Sequence, residues 1–209
     1  MTAIPPMIRR RLRAGAGLRM QVWALAMALV LPLAGCASGP DATFDLSAAL
    51  FGKPVRALRG PLAINEPVAT SPADSDRIVV RPTPDTLAAI KGAQWAEPLP
   101  HLVQTRLLQS FENARLQRSV SRPDGRVAAH YSLNTEIRRF DLDLSRGEAV
   151  VEISARLVEE GAGRIAAAKI FSARLQAAGE DGASAALALD AALADVMGQI
   201  VLWTAGRAS

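Results

Sequence analysis

The sequence predicts an α/β fold of two layers, in which a mixed, largely antiparallel β-sheet carries two amphipathic helices packed on one face. Three observations point there. Between Tyr131 and Leu175, apolar residues alternate along three segments joined by short turns, and short turns join only antiparallel neighbours. Residues 99–114 and 182–205 instead repeat their apolar positions at three and four residues, the period of a helix with one buried stripe. The stretch from the earlier strands through the first helix to Tyr131 is long enough for a crossover, which makes the sheet mixed.

The elements follow in order. Residues 42–46 read as a first strand and 51–60 as loop, punctuated by Gly52, Pro54 and Gly60. Residues 62–68 form a second strand, with Leu62 and Ile64 on one face, and residues 71–76 (Ser-Pro-Ala-Asp-Ser-Asp) a turn-rich loop. Ile78-Val79-Val80 is a short β-branched strand. Residues 83–90 read as another strand, with a helix start at Asp85 as the alternative. Glu97-Pro98-Leu99-Pro100 opens the first helix, where proline is tolerated because first-turn amides lack intrahelical partners. Its stripe is Leu99, Leu102, Val103, Leu107, Phe111 and Ala114.

In the meander, Tyr131, Leu133, Thr135 and Ile137 share a face, after which Phe140, Leu142 and Leu144 carry it on at even positions. A bulge near Arg138-Arg139 accounts for the change of parity. A turn at residues 145–148 leads to Ala149, Val151, Ile153, Ala155 and Leu157, and a turn at 159–163 to Ile165, Ala167, Phe171 and Leu175. The last helix is marked by Leu189, Leu193, Val196, Ile200 and Trp203, with Asp181 and Ser184 as candidate caps.

Residues 1–35 do not belong to this domain. Arg9, Arg10, Arg11, Arg13 and Arg19 make a basic start, and an apolar stretch from Val22 to Ala34 follows. That is the layout of an export signal, and the apolar stretch is shorter than the ~20 residues a transmembrane helix needs. It ends in Leu33-Ala34-Gly35-Cys36, which resembles the bacterial lipobox. The resemblance implies a thioether-linked diacylglycerol on Cys36, cleavage before it, and fatty acylation (palmitate) of the new amino terminus. Cys36 is the only cysteine, so an internal disulfide is excluded. An uncleaved anchor is the alternative; the positive flank would then hold its start in the cytoplasm and leave the rest outside. Residues 36–41 form a lipidated tether and 42–206 the domain.

The formal charge of +4 is concentrated in that leader. Five of the 24 Lys and Arg precede Cys36, whereas all 20 Asp and Glu follow it, leaving −1 on the chain from Cys36 onward. No basic run interleaved with aromatics remains, so nucleic acid is excluded as a partner.

Several landmarks coincide beyond the lipobox: Thr43-Phe44-Asp45-Leu46, the segment from Pro61 to Pro67, Asp76-Arg77-Ile78-Val79-Val80-Arg81, and Ala93-Gln94-Trp95-Ala96-Glu97-Pro98-Leu99. With the helix, meander and terminal helix that follow, they resemble the ABC-type transport auxiliary lipoprotein family, which includes the PqiC-type intermembrane transport lipoproteins. The first strand has only Phe44 where the family often has an aromatic pair, and Ile90 stands near a position that is often tyrosine. The resemblance implies a non-enzymatic auxiliary of an intermembrane lipid transport system. Its partners would be a periplasmic MCE-domain lipid-binding protein, a permease and an ATPase, with homo-oligomeric assembly allowed. Ala37, standing where aspartate would often retain a lipoprotein at the inner membrane, implies an outer-membrane protein facing the periplasm. A structural or assembly lipoprotein of the envelope, without a role in lipid transport, is the alternative.

The residues themselves offer no catalytic set, no cofactor motif and no metal motif. His101 and His130 are isolated, without zinc-site spacing. No G-x-S-x-G segment supports a hydrolase, and Gly161-Ala162-Gly163 is too short for a phosphate loop. Asp141 and Asp143, alternating with Phe140, Leu142 and Leu144, are expected on the solvated face of a strand. Arg138-Arg139 are expected as solvated bulge arginines, with contact to anionic headgroups or a partner as the alternative. Trp95 is expected to anchor the start of the helix in the core.

Overall fold

A computed structural model describes residues 42–124 and 128–208. The proposed signal (1–35) and tether (36–41), with Cys36, lie outside the described residues.

The strands are β1 (Ala42–Phe44), β2 (Leu62–Ile64), β3 (Arg77–Thr83), β4 (Thr86–Trp95), β5 (Val120–Ser121), β6 (Tyr131–Asp143), β7 (Glu148–Glu159) and β8 (Arg164–Gln176). The helices are α1 (Leu99–Asn113), between β4 and β5, and α2 (Gly182–Arg207), after β8. All eight strands belong to one mixed sheet. β6 is its spine: β7 runs antiparallel along one side, while β2 and β3 pair in parallel with the first and last thirds of the other. The crossover from β3–β4 through α1 to β6 is thus present, and β6–β7–β8 is the antiparallel meander.

The bulge falls where the parity change requires it. Ile137 pairs with Ile153 and Arg139 with Glu152, leaving Arg138 as the extra residue. Leu133, Thr135 and Ile137 before it, and Phe140 and Leu142 after it, all reach the core. The odd residues Arg139, Asp141 and Asp143 are thereby turned to the face away from the helices. A second irregularity, between Leu157 and Val158, has the same effect on β8. Ile165, expected in the core, is 59% exposed, whereas Phe171 and Ala173 remain buried. Leu175 keeps the inward parity but sits near the end of a strand whose only partner among the described strands is β7, and is 38% exposed.

Residues 86–95 settle as strand, forming an antiparallel hairpin with β3 around Pro84-Asp85. Two early strands are shorter than expected. β1 stops at Phe44, β2 stops at Ile64 before Pro67, and Val68 makes only an isolated bridge to Glu136. β5 was not expected; its two residues lie beside β2 in parallel register.

α1 starts without a side-chain cap. Its first amide, on Leu99, donates instead to the Ser75 carbonyl at 3.0 Å, and the Trp95 amide donates to Asp76 O at 2.7 Å. The residues 71–76 loop thus performs the capping that no α1 side chain performs. The expected α1 stripe is buried throughout, from Leu99 to Ala114. Trp95 ends β4 fully buried, edge-on to Phe140 with centroids 5.8 Å apart. α2 is capped by Asp181, which accepts from the Ala183 and Ser184 amides at 3.0 and 3.1 Å. Ser184 is not the cap; its hydroxyl donates to Asp181 at 2.6 Å.

By length and composition α2 would pass for a membrane span. Here its apolar stripe is covered by the protein, while Leu187 and Leu202 on the other side stay exposed: Leu189, Leu193, Val196 and Ile200 are fully buried, and Trp203 packs edge-on against Phe171 at 5.5 Å. The segment after β1 is stapled to both helices. The Ser47 amide donates to Asp190 of α2 at 2.5 Å, the Ala49 amide to the Ser110 hydroxyl of α1 at 2.9 Å, and Arg106 of α1 donates to both Asp45 oxygens.

Candidate functional site

The helix-free face of the sheet carries most of the charged side chains of the meander. Along much of it they form exposed cross-strand pairs: Arg138 with Glu152 at 3.3 Å, Arg156 with Glu136 at 3.8 Å, and Arg164 with Glu159 at 2.7 Å. Such pairs contribute about 0.2–1 kcal/mol each and mainly fix register.

One end of this face is different. Asp141, expected to be solvated, is only 2% exposed. A buried carboxylate requires partners, and two arginines supply them. Arg139, two residues earlier on β6, donates through Nη2 at 2.6 Å and Nε at 3.2 Å. Arg81 of β3 donates through Nε at 3.2 Å and Nη2 at 3.4 Å. The bulge at Arg138 makes the first contact possible by placing residues 139 and 141 on one face. The parallel register of Arg81 opposite Asp143 makes the second. The hydrogen bond to Asp141 raises the Arg139 pKa above its ordinary value, so this guanidinium is permanently charged. Arg138, the other half of the expected arginine pair, points elsewhere and is half-exposed beside Glu152.

Asp143 continues the row and accepts from the Ser145 hydroxyl at 2.6 Å and its amide at 3.2 Å. The Ser145 hydroxyl holds its pKa below the usual value, against the opposing effect of desolvation and with help from Arg139 and Arg146. The β6–β7 turn is held from β8: Gln176 Nε2 donates to Arg146 O at 3.0 Å and to Gly147 O at 3.1 Å. Gly147 has φ of +65°, a conformation that favours glycine, and the turn presents Arg146 beside the cluster. Arg81, Pro84, Arg139, Asp143, Arg146 and Arg174 line one open cavity of about 340 Å³.

The histidines are not drawn together. His101 is an exposed hydrogen-bond partner of Glu97 within the first turn of α1. His130 precedes β6, its ring tilted against Tyr131 with centroids 4.7 Å apart, and lies 4.0 Å from Glu159. Gly161-Ala162-Gly163 occupies the exposed β7–β8 turn. Among the described residues, no group of three His, Cys, Asp or Glu side chains is arranged to hold a metal. Sequence reasoning missed the Arg81–Asp141–Arg139 cluster; its one local signal was the parity change that places Arg139 and Asp141 on the same face.

Comparison assigns this architecture to the class of transport auxiliary lipoprotein components. The family profile described as the ABC-type transport auxiliary lipoprotein component matches residues 44–201, and the chain belongs to that family. It is 32% identical over 173 residues to an uncharacterised protein of Bradyrhizobium diazoefficiens, a match covering 81% of this chain and 46% of that protein. The chain thus spans about half the length of that relative. Among solved structures it is similar to a protein of Xanthomonas campestris, with a TM-score of 0.72 and 27% identity over 79% of this chain and 95% of that one. A second crystal structure shares the fold, with a TM-score of 0.61 at 14% identity, covering 78% of this chain and 97% of that one. The fold is therefore that of the family, as the sequence landmarks implied.

Proposed function

We propose that this protein is an outer-membrane lipoprotein, anchored through Cys36 with its domain facing the periplasm, and that it serves an ABC/MCE-type intermembrane lipid transport system without catalysis of its own. The observation that carries the proposal is the match of residues 44–201 to the transport auxiliary lipoprotein component. Residues 1–35 act as the cleaved signal, 36–41 as the tether and 42–206 as the docking domain. Lipid on Cys36 supplies the membrane attachment, since three acyl chains exceed the two signals that stable anchoring takes. α2 is spent on the core and leaves attachment to the N-terminus. ATP hydrolysis and lipid carriage fall to the partners, a permease–ATPase pair and a periplasmic MCE-domain protein, and a homo-oligomeric arrangement of the domain fits such a role.

Two experiments test this. Labelling cells with an alkynyl fatty acid and fractionating the envelope should place labelled wild-type chain in the outer membrane. Cys36→Ser should lose the label and accumulate its uncleaved precursor; a labelled Cys36→Ser chain contradicts the anchor assignment. In genetics, deleting this chain and deleting the permease should give the same envelope lipid defect, with no further defect in the double deletion. Additive defects would instead favour a structural lipoprotein.

A further inference from the structure

We propose that the arginine-lined cavity at the β6–β7 turn is a binding site for a phosphate-type oxyanion, either a free phosphate or the phosphate of a lipid headgroup. The inference rests on the geometry of the cluster and does not depend on the transport reading.

The cavity is cationic after its internal pairs are counted. Four guanidiniums, on Arg81, Arg139, Arg146 and Arg174, face it. Against them stand buried Asp141, Asp143, and Glu148, whose carboxylate is 3.9 Å from Arg174. Four positive charges meet three negative ones, and Glu152, which also acts on Arg139, is offset by its own partner Arg138. The donors are more unbalanced than the charges, because each guanidinium carries five N–H groups in a rigid fork. Arg139 directs two donor atoms at Asp141, and Arg81 directs two at Asp141 and Nη1 at the Pro84 carbonyl at 2.8 Å. Among the described residues, neither Arg146 nor Arg174 donates a side-chain hydrogen bond. The unspent donors converge on one cavity from β3, β6, the β6–β7 turn and β8.

Asp141 sets the arrangement. Buried between Arg81 and Arg139, it fixes two forks through their inner N–H groups and leaves outer ones for a ligand. That is the positioning that charge-assisted, bidentate recognition of an oxyanion requires. Arg146 is brought to the rim by the Gly147 turn and Arg174 by β8, where Arg174 keeps only the long 3.9 Å pairing with Glu148. A phosphate presents more acceptor oxygens than a carboxylate and so suits a cavity that offers donors from four elements. The volume of about 340 Å³ exceeds a bare phosphate and leaves room for a substituent.

The test uses full-length lipidated protein in a zwitterionic detergent, titrated calorimetrically at constant ionic strength. The probes are inorganic phosphate and dihexanoyl-phosphatidylglycerol below its micelle concentration, with dihexanoyl-phosphatidylcholine as reference. Arg139→Ala would strand Asp141 and risk the fold, so the test variant is Arg146→Ala/Arg174→Ala, which removes only rim side chains and whose melting curve is checked. Saturable millimolar-or-tighter binding of phosphate, of phosphatidylglycerol over phosphatidylcholine, or of both, weakened at least about tenfold in the variant, supports the site. The probe that binds identifies the source of the anion. Absence of saturable binding for both probes overturns the proposal, as does unchanged binding in a variant that melts like wild type.

Discussion

Replacing Asp141 with alanine leaves the Arg81 and Arg139 forks facing one another without the carboxylate that holds both. Removing one member of a buried ion cluster is strongly destabilising, and the partial exposure of the two arginines reduces that cost. The expected loss is about 2–4 kcal/mol, read as a fall in urea midpoint at unchanged slope. Asp143 gives a pH signature. Its folded-state pKa is held low, chiefly by the Ser145 hydroxyl, so its stabilisation is full above the ordinary carboxylate range and is lost as pH falls through the depressed value. Stability measured from neutral to acid pH should therefore fall more steeply in wild type than in Ser145→Ala; equal slopes would show that the hydroxyl does not hold Asp143. Asp143 is partly buried near the turn, on the side of the strand that the alternation predicts. The burial of Asp141 does not follow from that alternation, because Arg81, which helps to shield and pair it, is 60 residues away in sequence. Period-two patterning reports which side of a strand a residue faces, and only tertiary contacts decide whether that side is open.

At the scale of elements, the start of α2 lies directly against β4. A Cβ added at Gly182 would collide with the Ala93 methyl, so Gly182→Ala should cost about 1–3 kcal/mol through overpacking. The double variant Gly182→Ala/Ala93→Gly should recover part of that loss, and a purely additive double-mutant cycle would place the effect elsewhere. The meander and both helices were legible because each has many periods of its pattern. The Arg138 bulge was legible for the same reason, since a change of parity inside a long strand requires one extra residue on that strand. β5 was not, because two residues cannot display a period; they are held in place by pairing with β2. Nor was the capping of α1, whose acceptor is a loop carbonyl on Ser75 rather than an α1 side chain. The 83–90 segment was ambiguous because Leu87, Ala88 and Ala89 suit either period, and the pairing of β4 with β3 decides for strand.

For the molecule as a whole, the most apolar stretches are α2 and the leader segment from Val22 to Ala34. The terminal helix is apolar enough to span a bilayer, yet Leu189, Leu193, Val196, Met197, Ile200 and Val201 are buried in the core of the domain. In the function proposed above, membrane attachment falls to Cys36, as the resemblance of residues 33–36 to a lipobox implies. The family was legible because its landmarks, from Phe44 through the Trp95 segment to the terminal helix, are the residues that build the fold. The partners were not, since docking surfaces carry no pattern comparable to a buried stripe. Service to an ABC/MCE-type transport system is best tested by affinity purification of the full-length chain from gently cross-linked, detergent-solubilised envelopes, with mass spectrometry of what accompanies it. An MCE-domain protein should be recovered together with its permease and ATPase. Recovery of the lipidated chain without them, in a preparation that retains other envelope complexes, would overturn the transport role.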